Sequence, residues 1–124
     1  MAASEVPTDV ILVEDDEATR LAYARLLEAH GYAVAAFDSI GGALDLAKTG
    51  CGKLLLTDVR LRAGEAHGVT LALMIRLSRP KLPIILMTAY PELRELIDSR
   101  LGPILIKPVD PDALLGAIKT ALDM

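Results

Sequence analysis

In 124 residues the chain has one cysteine, one phenylalanine, three tyrosines and no tryptophan. A lone cysteine, Cys51, excludes an intrachain disulfide framework and fits the reducing cytoplasm. Flanked by Gly50 and Gly52, it reads as a turn residue. So few aromatics leave no platform for stacked nucleic-acid bases. A net charge of −4 argues against a sequence-independent nucleic-acid surface. No apolar run is long enough to cross a bilayer. Residues 1–7 lack the basic and apolar regions of a secretory signal and read as a disordered lead-in to one domain, 8–124. His30 and His67 are far apart and have no third ligand at zinc spacing, so neither takes a metal role. Hydrophobic residues are plentiful, at 52%, which excludes disorder for most of the chain and supplies one real core.

Short apolar runs alternate with helical patterns. Residues 8–13, 32–37, 54–57, 83–87 and 104–106 read as strands, the third a run of leucines buried on both faces. Thr19, Ala22, Tyr23, Leu26, Leu27 and His30 keep the spacing of a helix face, and Gly31 follows as a stop. Asp38 or Ser39 caps a helix to Lys48. Gly68 opens a third helix, stopped before Pro80. Pro91 precedes a short helix over 92–99. Asp110 and Pro111 read as the cap and first residue of the last helix. Five such alternations specify an α/β fold: a doubly wound five-stranded parallel sheet with helices on both faces and right-handed crossovers.

In a parallel sheet the strand C-termini share one edge, where ligands of open α/β folds bind. Here that edge carries Glu14, Asp15 and Asp16 after strand one, Asp58 after strand three, Thr88 after strand four and Lys107 after strand five. Three or more carboxylates so placed raise one another's pKa and call for a cation. Oxygen ligands with room for water suit Mg²⁺ better than Ca²⁺. A carboxylate nucleophile, a metal, a lysine and a hydroxyl fit phosphoryl transfer to Asp58. Taken singly, each group has a plainer reading. The acids would be a solvated helix N-terminus, Thr88 a strand-end or cap residue, and Lys107 a surface lysine.

V-E-D-D-E, L-L-L-T-D-V, L-M-T-A and I-K-P, in this order, resemble the receiver domain of two-component response regulators, over about residues 8–123. Asp58 lies 43 positions after Asp15, and Thr88 lies 30 positions after Asp58. The resemblance implies a flavodoxin-like sheet of order 2-1-3-4-5. It implies Asp58 as phosphoacceptor, and Mg²⁺ held by Asp15, Asp58 and the backbone carbonyl of Arg60, with Glu14 acting through water. Asp16 falls outside that set. Thr88 corresponds to the switch hydroxyl, and Lys107 to the lysine that pairs with the phosphoryl group. Lys107–Pro108 becomes a candidate cis bond. The implied partners are a histidine kinase or histidine phosphotransfer protein and a downstream protein target. With the last helix ending at Met124, output is expected by protein contact from a monomer or weak homodimer.

The sequence also departs from the family. Leu61-Arg62 stands where Met-Pro is usual, in a loop about two residues longer than usual. The 19 residues from Thr88 to Lys107 are about three fewer than usual, which predicts a short or irregular fourth helix. Ile104 stands where the family carries its switch aromatic; Tyr90 is the candidate substitute, as in an atypical Thr-X-Tyr subset. These changes leave the usual output face in doubt and keep a phosphate-independent interaction module of the same fold as the alternative. An aspartyl phosphatase would want a second carboxylate at position 60, which is Arg60. A flavin site would want a phosphate-binding loop after strand one, where the acids stand. The third helix has more apolar residues than one face needs, through either a broad core face or an exposed partner surface.

Overall fold

Five short runs of β-branched and aliphatic residues pair side by side. They are β1 (Val10–Val13), β2 (Val34–Phe37), β3 (Leu54–Asp58), β4 (Ile84–Thr88) and β5 (Ile104–Ile106). All pairs are parallel and the order is β2-β1-β3-β4-β5. The structure, a computed structural model, describes residues 7–61 and 67–123. The expected lead-in therefore lies outside the described residues except for Pro7, and so does Arg62. Among the described residues the helices are α1 (Glu17–Ala29), α2 (Ile40–Lys48), α3 (His67–Ser78) and α4 (Pro111–Leu122). None of them is long and apolar enough to cross a membrane.

Alternate strand residues point to opposite faces, and both faces are covered. Ile11, Val13, Leu55, Ile84 and Leu86 pack with Ala43 and Ala47 of α2 and with Leu71, Ala72 and Ile75 of α3. Val10, Leu12, Leu54, Leu56, Ile85 and Met87 pack with Leu27 of α1 and with Leu114 and Ile118 of α4. β1, β3 and β4 are buried along their whole length, as continuous apolar runs should be. Strands one and two start two residues later than the pattern indicates. There the Asp9 carboxylate accepts from the Ala33 amide at 2.8 Å, which takes that amide out of the ladder, and the Tyr32 amide donates back to the Leu27 carbonyl of the first helix.

The stretch between β4 and β5 corrects the expected helix over 92–99. It forms two 3₁₀ turns, Pro91–Glu95 and Ser99–Leu101. Asp98 starts the second turn by accepting from the Arg100 amide at 2.9 Å. Gly102 ends it at φ 151°, where a β-carbon would strike the Ile84 carbonyl. Leu101 is buried, Leu93 and Ile97 pack on the core, and Arg76 of α3 donates to the Leu101 carbonyl at 2.9 Å. Hydrophobic anchors and the Arg76 hydrogen bond, rather than a continuous helical ladder, hold this segment in place.

On α3, Leu71, Ala72 and Ile75 are buried while Leu73, Met74 and Leu77 are exposed. The excess of apolar residues thus lies partly on the solvent side. Leu115 on α4 is half-buried against the other core.

The start of α3 sits directly on the end of β3. The Gly68 amide donates to the Val59 carbonyl at 3.1 Å. A β-carbon at Gly68 would lie 1.8 Å from the Asp58 carbonyl oxygen, so only glycine fits. Gly68→Ala should therefore lower the unfolding free energy by about 1–3 kcal/mol, the usual cost of overpacking. Urea denaturation followed by far-UV circular dichroism measures it, and an unchanged midpoint would refute the close approach.

Candidate functional site

The sheet register assembles the site. Val13 pairs with Thr57, so Glu14, the next residue along β1, emerges beside Asp58. Asp58 pairs with Met87, which brings Thr88 in just beyond it. Thr88 pairs with Ile106, and the Lys107 amide then donates to the Thr88 carbonyl at 2.8 Å. Four strand ends thus converge on one point at the C-terminal edge. The peptide bond between Lys107 and Pro108 is cis.

At the centre is the Lys107 ammonium. It donates to Glu14 Oε1 at 2.5 Å and to Asp58 Oδ2 at 2.6 Å. Glu14 is 1% exposed and Asp58 7%. Burial raises the Glu14 carboxyl above its ordinary 4.5, against the lowering effect of the Lys107 hydrogen bond. Burial also pulls the Lys107 ammonium down, but the hydrogen bonds it donates to Asp58 and Glu14 outweigh it, so its pKa stands above 10.5. The raised lysine stabilises the fold fully below pH 10.5, and that contribution is lost as pH climbs through the higher folded value. The raised Glu14 works the other way: its ionisation costs stability as pH rises from 4.5 through its folded value.

Asp15 is exposed and completes an acidic cluster. One carboxylate oxygen each from Glu14, Asp15 and Asp58 lie within 4.8 Å of one another. An all-oxygen set at this spacing, open on the Asp15 side, is chemically suited to a hard divalent cation. Asp16 turns away from the cluster to cap α1. Its carboxylate accepts from the Thr19 amide at 2.9 Å and from the Thr19 hydroxyl at 2.6 Å, and the hydroxyl bond chiefly lowers its pKa.

Thr88 is fully buried, and its hydroxyl accepts from the Tyr90 amide at 3.0 Å. Tyr90 is 46% exposed, and the Arg60 guanidinium lies over its ring, 4.4 Å from the centroid. The sequence reading missed that side-chain contact, because two residues 30 apart carry no local sign of it. It also missed Arg20, whose guanidinium donates to the Glu14 carbonyl at 2.9 Å and the Asp15 carbonyl at 3.5 Å. A signal for Arg20 did exist. A cation in the first turn of a helix opposes the macrodipole and needs a local reason to be there. The histidines stay outside the site; His30 Nδ1 bonds the Leu26 carbonyl at 3.0 Å at the end of α1.

The family model described as response regulator receiver domain matches residues 10–119. The chain belongs to this family. Receiver domains are the signalling modules of response regulators in two-component systems, rather than classical enzymes. They are typically phosphorylated, bind Mg²⁺ at an acidic pocket and interact with histidine kinases or phosphotransfer proteins. A CheY-like receiver structure from Methanospirillum hungatei JF-1 has a TM-score of 0.82 and 29% identity, covering 95% of both chains. The transcriptional regulatory protein ZraR of Escherichia coli K12 is 32% identical over 117 residues, 92% of this chain and 26% of its own length. The response regulator protein FleR of Pseudomonas aeruginosa is 35% identical over 112 residues, 88% of this chain and 23% of its own. The chain thus spans about a quarter of the length of these curated relatives.

Within the receiver fold, Ile104 opens β5 half-buried and packs on the α2–α3 side of the core. It has no ring to turn.

Lys107 holds two carboxylates that would otherwise face each other nearly dry. In chelator at neutral pH, Lys107→Met should cost about 3 kcal/mol or more of unfolding free energy, as expected when one partner of a buried ion pair is removed. Adding Glu14→Gln should recover part of the loss. Chemical denaturation of the three proteins tests this; equal midpoints for wild type and Lys107→Met would show that the ammonium offsets nothing.

Proposed function

We propose that this receiver accepts a phosphoryl group on Asp58 from a histidine kinase or histidine phosphotransfer protein. The observation that carries the proposal is the Lys107 ammonium shared by Asp58 and Glu14, with Asp15 in the same cluster. A carboxylate nucleophile beside a fixed cation and a divalent-cation cradle is what transfer to an aspartate requires. An Asp58 oxygen attacks phosphorus in line. The donor's P–N bond breaks, and the leaving imidazole keeps the electron pair, later taking a proton. With an acyl phosphate as donor, a P–O bond breaks and a carboxylate leaves.

Asp15, Asp58 and the Arg60 carbonyl would hold Mg²⁺, with Glu14 acting through water. Bound there, Mg²⁺ supplies positive charge against the oxygens of the transferring group. Lys107 stays close to Asp58 and moves its hydrogen bond from the carboxylate to a phosphoryl oxygen. Thr88 turns its hydroxyl from the Tyr90 amide to the same group. Tyr90, released from Thr88, is the aromatic that changes place, since Ile104 has no ring. Output then passes by protein contact on this side of the molecule, in the cytoplasm.

Incubation with acetyl phosphate and Mg²⁺ should give a single acyl-phosphate label, detected by intact mass and lost in hydroxylamine. Asp58→Asn should abolish it, and persistent labelling in that variant would overturn the assignment. Asp15→Asn should retain Asp58 but need at least about tenfold more Mg²⁺ for half-maximal labelling.

A further inference from the structure

Resting on the phosphoacceptor reading, one contact at the site has a role of its own. Arg60 lies two residues beyond Asp58, and Tyr90 two residues beyond Thr88. β3 and β4 are neighbours, with Asp58 beside Met87, so the two side chains leave adjacent strand ends. They meet outside the sheet edge, guanidinium over ring, 4.4 Å to the centroid. Among the described residues this stacking joins the loop after β3 to the loop after β4. Tyr90 is held a second time through its amide on the Thr88 hydroxyl. The Arg60–Tyr90 pair therefore stands beside the acidic site, following Asp58 on one strand and hydrogen-bonded to Thr88 on the other.

We propose that Arg60 and Tyr90 form a clasp that phosphorylation opens, with Arg60 as the sensing residue. In the unphosphorylated protein the two buried carboxylates already share the Lys107 ammonium, and the Arg20 guanidinium is engaged on the carbonyls of Glu14 and Asp15. Among the described residues, the side-chain contact of Arg60 is with the face of a ring that is 46% exposed. Stacking at a half-exposed ring is a weak hold. A phosphoryl group on Asp58 adds about −1.5 to −2 charge and strong acceptor oxygens. Charge-assisted, bidentate hydrogen bonds to such oxygens are the stronger attraction for a guanidinium. Arg60 therefore leaves the ring for the phosphoryl group. Tyr90 loses this hold together with its amide bond to Thr88.

The consequence runs along the chain. Tyr90 immediately precedes the 3₁₀ turn Pro91–Glu95, and Leu96 beyond it is 79% exposed. Freed at Tyr90, this segment becomes the surface whose position reports phosphorylation. The signal then needs no inward rotation at position 104, where isoleucine stands. The two departures that looked like loss of a readout become parts of a different one.

The test uses ring signals of the three tyrosines in NMR spectra of the whole chain, with Tyr90 assigned from the signal lost in Tyr90→Phe. On adding Mg²⁺ and beryllofluoride, or Mg²⁺ and acetyl phosphate, the Tyr90 signal should shift while those of Tyr23 and Tyr32 hold. In Arg60→Gln it should start displaced toward the shifted position and respond by less than half as much. Arg60→Lys, which keeps charge but not the planar stack, should fall between. If acetyl phosphate labels Asp58 by mass while the Tyr90 signal stays fixed, the clasp is refuted and the phosphoacceptor reading stands. An equal starting position and equal shift in wild type, Arg60→Gln and Arg60→Lys would remove Arg60 from the mechanism. If no label forms, the phosphoacceptor reading fails and takes the clasp with it.

Discussion

One ammonium group between two buried carboxylates is the constraint on which the site depends. The parallel sheet forces Glu14 and Asp58 out side by side, and neither is well hydrated. Two such charges in contact would drive one of them to protonate. Lys107, arriving from the next strand but one, offsets that cost with hydrogen bonds of 2.5 and 2.6 Å. Asp15 remains outside, exposed and able to meet a cation from solvent.

The frame that permits this is plain in its physics. Each central strand is apolar on both faces because a helix layer covers each face. A buried strand can end in a carboxylate only where the sheet meets solvent, so the polar groups gather at one edge. Gly68 brings the start of α3 onto the Asp58 carbonyl and leaves no slack there. The opposite holds after β4, where the backbone takes two short 3₁₀ turns with poorer hydrogen-bond geometry than an α-helix. A site tied by charge and register thus adjoins a segment held by hydrophobic anchors and the Arg76 hydrogen bond.

That contrast bears on how a receiver can vary while keeping its chemistry. The groups nearest Asp58 are tied to one another by charge and register. The segment from Tyr90 to Leu101 is tied by Leu93, Ile97 and Leu101 against the core and by Arg76 on the Leu101 carbonyl, with no tie to the acidic cluster among these. Ile104 and the short connection lie in the second category.

Much was legible in the sequence because it depended on near neighbours. Apolar runs of three to six residues, glycine stops and the Asp110-Pro111 cap indicated five strands and all four helices to within a few residues. Asp58, Thr88, Lys107 and the Glu14-Asp15 pair stood at strand ends, and the motif order linked them to one fold. The 92–99 helix was misread, because a proline start and scattered apolar residues do not reveal that the segment breaks at Asp98 into a second short turn. What the tertiary structure alone decided were meetings across long separations. Lys107 reaches Asp58 over 49 residues and Glu14 over 93, and Arg60 reaches Tyr90 across two loops. Periodicity sets which way a side chain faces along its own element. Only the pairing of strands, set by the packing of both faces at once, determines which of those side chains touch.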